Sequence, residues 1–251
     1  MTIRRRCPVI VITLVLFLSA FAPDSSSAYT MSELLRYDLT WSGIKAGEAV
    51  LELKDNGQEA QIISRANSTA FVSMFYRVED VVIATLRKGQ SLVAGFWGVP
   101  RNYRLKTREG KQRKDKETIF DPSGRKATFI NHLEPEKVDF DLDLPALDPL
   151  SCFYYIRGLP LEVGKSVYVA VFDSKKLYKA EIQVLKKEII ETSLGRFNTI
   201  LIRPVMKSEG IFSRRGDILI WLTDDDKRIP VLLKTKLSVG SVKATLTGGK
   251  Y

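Results

Sequence analysis

The sequence predicts a mainly β protein: a curved antiparallel meander, in the form of a half-open barrel or a sandwich, packed around one short buried helix. Three observations carry this. Apolar residues recur with a period of two through most of residues 29–251, turn signals separate these runs at short intervals, and only one stretch has helix start and stop signals with almost no polar face.

The chain opens with Arg4, Arg5 and Arg6, followed by an apolar stretch from Pro8 to Ala22 and by the small residues Ser26 and Ala28. This is the pattern of a secretory signal cleaved after Ala28, and the apolar run is shorter than the ~20 residues a membrane-spanning helix needs. The expectation is a signal peptide over 1–28 and a periplasmic location for the remainder. Without residues 1–28 the chain keeps 36 basic and 28 acidic side chains, a balance of +8. In an envelope compartment such a charge disfavours nucleic acid as partner and favours an anionic lipid, an acidic glycan or an envelope protein, with peripheral membrane contact as one form this takes. Cys7 falls in the expected signal, so Cys152 is left without an internal disulfide partner or a cysteine metal site. No cofactor and no metal are expected.

Among the strands, Tyr178, Ala180, Ile182 and Val184 alternate with Lys179, Glu181 and Gln183; Ala49, Leu51 and Leu53 alternate with Glu48, Glu52 and Lys54; and Val242, Ala244 and Leu246 alternate with Lys243, Thr245 and Thr247. Asp55-Asn56-Gly57, Lys88-Gly89-Gln90, Glu109-Gly110-Lys111, Pro122-Ser123-Gly124, Asp173-Ser174 and Asp224-Asp225-Asp226 supply the turns. About a dozen strands fit, paired antiparallel because tight turns join them. Leu92–Trp97, Val167–Phe172 and Ile218–Leu222 do not alternate, so the sheet there is covered on both sides.

The helix starts at Asp148-Pro149, an N-cap followed by proline at the first helical position, and Gly158 and Pro160 stop it. Leu150, Phe153, Tyr154 and Ile156, with Cys152 and Tyr155, leave it apolar nearly all round, so it is expected to be engulfed by the β layers. Residues 131–149 hold three prolines and six carboxylates, and read as a linker or crossing segment. Residues 29–251 are therefore a single β-rich domain, or two β halves, 29–130 and 159–251, joined by 131–158.

Candidate chemistry is sparse. His132 lies in a polar connector without a nucleophile elbow, and Cys152 lies within the apolar helix; neither arrangement suits a catalytic pair. Asp224, Asp225 and Asp226 are followed by Lys227 and Arg228 and read as a hairpin tip. Glu134, Glu136, Asp139, Asp141 and Asp143 contain the carboxylates a glycosidase pair would need. Arg101, Arg104, Lys106 and Arg108, next to Tyr103, suit phosphate or carboxylate groups and form the candidate anion-binding site.

Four segments, RYDLTWSGIKAGEAVLEL at 36–53, DPLSCFYYIRGLPLEVG at 148–164, ETSLGRFNTILIRP at 191–204 and IWLTDDDKRIPVLLKTKLSVGSVKATL at 220–246, together resemble the exported bacterial domain-of-unknown-function family 3108. The resemblance implies a mostly β envelope protein of Gram-negative type bacteria and brings no catalytic residues. The expected function is non-enzymatic binding of an apolar or amphipathic partner (a lipid, a lipidated protein or an envelope polymer) in or on the curved sheet. The alternatives are an envelope glycan hydrolase using paired carboxylates, and a scaffold whose core the helix fills.

Overall fold

A computed structural model describes residues 32–89, 98–206, 218–236 and 240–251. The expected signal segment and the apolar stretch Leu92–Trp97 lie outside the described residues. The elements are β1 (Glu33–Trp41), β2 (Ile44–Asp55), β3 (Glu59–Ser68), α1 (Ala70–Ser73), β4 (Val78–Lys88), β5 (Gly98–Glu109), β6 (Gln112–Phe120), β7 (Lys126–Asn131), β8 (Glu136–Asp141), α2 (Pro149–Arg157), β9 (Ser166–Asp173), β10 (Lys176–Thr192), β11 (Gly195–Met206), β12 (Ile218–Thr223), β13 (Pro230–Lys236) and β14 (Ser241–Lys250).

All strands join one 14-stranded antiparallel sheet in the order β8-β7-β6-β5-β4-β3-β2-β1-β14-β13-β12-β11-β10-β9. The chain thus runs as two meanders whose first and last strands, β1 and β14, pair in the middle of the sheet. The count exceeds the dozen expected because β8 forms within the segment whose prolines and carboxylates read as a linker. There Phe129 faces Val138 and Ala127 faces Phe140 across the ladder, so alternating apolar positions override the acidic composition.

The two edge strands, β8 and β9, are not hydrogen-bonded to each other, and side chains bring them together. Phe172 of β9 packs against Phe140 of β8 at 5.3 Å and Phe120 of β6 at 6.2 Å between ring centroids. Lys175, in the β9–β10 turn, pairs with Glu136 of β8 at 2.7 Å. The free edge of β9 is covered by Leu147, whose N–H donates to the Ala170 carbonyl at 3.0 Å while the Phe172 N–H donates to the Leu147 carbonyl at 2.9 Å.

Helix α2 follows the predicted signals closely. The Asp148 carboxylate accepts from the Leu150 and Ser151 N–H groups at 3.0 and 2.9 Å and from the Ser151 hydroxyl, and Gly158 is the C-cap. Cys152, Tyr154 and Ile156 are buried, and Leu150, Phe153 and Tyr155 are half-buried against the same core. The helix therefore sits in the apolar interior. At its C-terminus Arg157 donates to both Glu33 carboxylate oxygens at 2.8 and 2.6 Å and to the backbone carbonyls of Arg228 and Lys227 at 3.0 and 3.1 Å. Tyr154 donates to the same carboxylate at 2.8 Å, with the Arg157 guanidinium 4.7 Å above its ring. This buried cluster ties the helix to the start of β1 and to the β12–β13 turn.

At one point the β1–β14 ladder needs glycine. Gly249, opposite Leu35, has φ +147, and a Cβ there would lie 1.9 Å from the Leu34 carbonyl oxygen, beside the register shift at Arg36/Tyr37.

Three outcomes test this account. Gly249→Ala is expected to destabilise the fold by at least about 2 kcal/mol in chemical denaturation. Arg157→Met alone strands the Glu33 charge and is expected to cost about 3 kcal/mol or more, whereas Arg157→Met with Glu33→Leu costs less than the single change. Burial pushes the Asp148 carboxyl up from 3.8 to about 6, against the pull of its hydrogen-bond donors. The folded state then binds more protons than the unfolded chain between these values, so stability falls as pH rises through that window. In Asp148→Asn this fall, read as denaturation midpoint against pH, is expected to become smaller by the contribution of this one carboxyl.

Candidate functional site

In a meander, alternate hairpins fall at opposite ends of the sheet. The segment carrying α2 joins the β2–β3, β4–β5, β6–β7, β10–β11 and β12–β13 connections at one end, and the remaining connections ring the other, here called the mouth. Near the helix the inward side chains Leu35, Leu53, Ala60, Ile62, Leu86, Ile200, Leu222 and Leu246 are fully buried. Toward the mouth the inward positions open. Leu39, Ala49, Ala66, Val82, Leu105, Leu233 and Ala244 are only half-buried, although they lie on the same face.

The reason is size. A fully closed barrel of about eight strands is the one whose interior its own side chains just fill. Here fourteen strands curve around one nine-residue helix, about 13 Å long, while β4 and β5 each run for about 36 Å or more. The helix lies toward one end of the interior, where inward side chains are fully buried, and the inward positions away from it are half-buried.

The open half has two unlike walls. The wall from β1, β2, β13 and β14 is aliphatic through Leu39, Ala49, Leu233 and Ala244. Strands β4–β6 instead place Asp80, Thr107, Glu109, Lys114 and Lys116 on the inward register below Val82 and Leu105. Burial, and then the neighbouring Glu109, push the Asp80 carboxyl up to about 6. Its Oδ1 accepts from the Arg108 N–H at 3.2 Å. Lys116 lies opposite Leu105 in the ladder and makes no ion pair among the described residues; its Nζ is 5.8 Å from the centroid of the Phe129 ring, which also receives Lys175 Nζ at 5.2 Å. An apolar wall thus meets a polar one at the Leu105–Lys116 pair.

Of the residues singled out as an anion site, strand alternation separates only Tyr103 from the basic side chains, and the guanidinium groups are held by carboxylates. Tyr103 turns inward and is buried. Arg104 and Arg108 lie on the outer face, where Arg104 forks onto Asp115 at 3.0 and 3.2 Å and Arg108 reaches Glu79 at 3.3 Å. Arg101 pairs with Glu59, and it borders a groove of about 410 Å³ together with Arg87, Val99, Ile119 and Phe120. Lys106 is exposed on the outer face. These guanidinium groups serve carboxylates of neighbouring strands, a pairing that the one-dimensional run of basic residues concealed.

The other constellations are structural in their contacts. His132 bonds Glu117 at 2.7 Å. Burial pushes the Cys152 thiol up to about 12, leaving it a protonated core group. Asp225 accepts from the Thr223 hydroxyl and from the Lys227 and Arg228 N–H groups, and Asp224 pairs with Lys187 and Arg228, so these two aspartates build the β12–β13 turn. On β8, Asp139 and Asp141 share the outer face while Glu136 is held by Lys175 on the other. Among the described residues no group of three or more His, Cys, Asp and Glu side chains is placed to hold a metal ion.

What sequence reasoning missed is at the mouth. Phe71, Met74, Phe75 and Tyr76, in the β3–β4 connection, are 63, 70, 79 and 53% exposed. The signal was a cluster of large apolar residues, AFVSMFY, that continues neither the preceding nor the following strand alternation.

These features define an antiparallel β-barrel-like protein with an internal helix and an amphipathic open half. The family model described as "Protein of unknown function (DUF3108)" matches residues 36–247, and the chain belongs to that family. Among solved structures it is similar to a β-barrel-like protein of the domain of unknown function DUF1849 from Brucella abortus, with a TM-score of 0.57 and 13% identity over 87% of this chain and 97% of that one. At that identity the likeness concerns the fold. No curated protein matches the chain by sequence.

Proposed function

We propose that this chain is a non-enzymatic envelope protein that holds an amphipathic molecule in the open half of its barrel, the acyl part against the aliphatic wall and an anionic head at Lys116. The observation that carries this reading is the change along one inward face from full burial near α2 to half-burial toward the mouth, where Ala49, Leu233 and Ala244 line the aliphatic wall and Val82 and Leu105 adjoin Lys114 and Lys116 on the other. Such a lumen has what a lipid site needs: concavity, apolar lining and a few polar groups that fix orientation. Lys116 is the best-placed cation, because it adjoins Leu105 and pairs with no carboxylate among the described residues. The signal pattern over residues 1–28 supports an address where lipids and lipidated proteins are the abundant amphiphiles.

The test uses a fatty acid carrying an environment-sensitive fluorophore. Ala49 and Ala66 are directly opposite each other on β2 and β3, and Ala49→Phe with Ala66→Phe is expected to fill the lumen and weaken the probe by about tenfold or more with the circular dichroism spectrum unchanged. Lys116→Met is expected to weaken the carboxylate-headed probe by about tenfold and to spare an alcohol-headed analogue, since only the former makes a charge-assisted hydrogen bond. Absence of probe uptake by the unaltered protein would overturn the reading.

A further inference from the structure

The apolar lip at the mouth is built rigidly, and this is what makes its exposure informative. Thr69 caps the single turn of α1, its hydroxyl accepting from the Val72 N–H at 3.3 Å, and the Ser73, Phe75 and Tyr76 N–H groups donate to carbonyls one turn back at 2.8 to 3.0 Å. The connection is pinned to its neighbours as well. The Thr69 N–H donates to the Ala46 carbonyl at 2.8 Å, the Val78 N–H to Ser68 Oγ at 2.9 Å, and the Gly110 N–H to the Arg77 carbonyl at 2.8 Å. The Tyr76 ring lies on Gly110 so closely that a Cβ there would come within 2.8 Å of it. Phe71 and Phe75 meet edge to face at 5.7 Å, outside the core. Ile44, the first residue of β2 after the β1–β2 turn, is 66% exposed. A fixed surface of this kind, held in water by backbone hydrogen bonds, marks an interaction site.

The charge around it specifies the partner. Lys111 and Arg113 lie in and beside the β5–β6 turn on which Tyr76 packs; among the described residues Lys111 makes no contact with a carboxylate, and Arg113 donates only to the Gly110 and Gln112 carbonyls. Lys234 and Lys243 face each other directly across β13 and β14, and Lys236 follows toward the mouth. Like charges directly opposite destabilise a ladder, yet none of these three is neutralised among the described residues. From Lys227 to Tyr251 the chain has six basic and no acidic residues. Uncompensated cations around projecting phenylalanine, methionine and tyrosine match an anionic bilayer surface: rings and thioether enter the headgroup–acyl boundary, the tyrosine hydroxyl stays in the headgroup layer, and the lysines face lipid phosphates.

We propose that the mouth end docks peripherally on an anionic phospholipid bilayer through Phe71, Met74, Phe75 and Tyr76, with Lys111, Arg113 and the β13–β14 lysines as the electrostatic collar. This rests on the outer rim and is independent of what the lumen holds.

The experiment is co-sedimentation of the purified protein with vesicles of phosphatidylcholine, with and without roughly a third phosphatidylglycerol. Binding to the anionic vesicles is expected to exceed binding to phosphatidylcholine alone by about tenfold and to fall with added salt. Phe71→Ser with Phe75→Ser, and separately Lys111→Glu with Arg113→Glu, are each expected to reduce it by about tenfold, with unchanged thermal melting because these side chains are exposed. The lumen-filling Ala49→Phe/Ala66→Phe protein is expected to bind vesicles like the unaltered one, which separates failure of this proposal from failure of the lumen reading. Equal binding by the Phe71/Phe75 variant overturns the proposal. So does a rim that mediates self-association in sedimentation velocity while vesicle binding is absent.

Discussion

A sheet of fourteen strands encloses more space than its own side chains can occupy, and this constraint organises the molecule. The interior must be filled by something else, and the only long apolar element available among the described residues is α2. The helix enters between the two meanders, at the point where β8 ends and β9 begins, so a single insertion both fills half of the lumen and links the sheet's two edges. Each deeply buried apolar side chain on it contributes about 1.5 to 3 kcal/mol before entropy is counted. The Arg157–Glu33–Tyr154 cluster adds less net energy than its hydrogen bonds suggest, because two charges lose solvent there. What it supplies is a defined place for the helix end.

The open edges follow from the same constraint. A sheet that does not close leaves two unpaired strands, and both are managed without a ladder between them: Leu147 satisfies part of β9, and Phe172 and Lys175 bind β8 through side chains. The seam therefore depends on residues from four separate segments, none of which forms an edge-covering element by itself.

The inward face changes character away from the helix. On β4–β6 the inward register changes from Leu86, Ala84 and Tyr103 near the helix to Asp80, Glu109 and Lys114 near the mouth, while the facing wall stays aliphatic. Polar residues on an inward register would be unfavourable in a packed core, and they are tolerated here because these positions are only half-buried. The exposed aromatic lip lies at the same end, so the amphipathic lumen and the proposed membrane-facing rim share one opening.

Much of this was legible in the residues. Period-two alternation fixed the faces of β2, β10 and β14, and Asp148-Pro149 with Gly158 bounded α2 to within a residue, because caps and alternation are local physics. β8 was hidden, since its acidic, proline-flanked composition outweighed an alternation of only two apolar positions, Val138 and Phe140. The pairing of the basic run was hidden for the complementary reason: Arg104, Lys106 and Arg108 share the outer face without Tyr103, and Arg101, Arg104 and Arg108 find partners in Glu59, Asp115 and Glu79, up to 42 positions away. By itself the sequence determined the strand character, the turns and an apolar helix that had to be buried. Only the tertiary structure decided which carboxylate neutralises which cation, how the edges meet and where the inward face is less buried, because those depend on the curvature of the sheet and on pairings between strands remote in the chain.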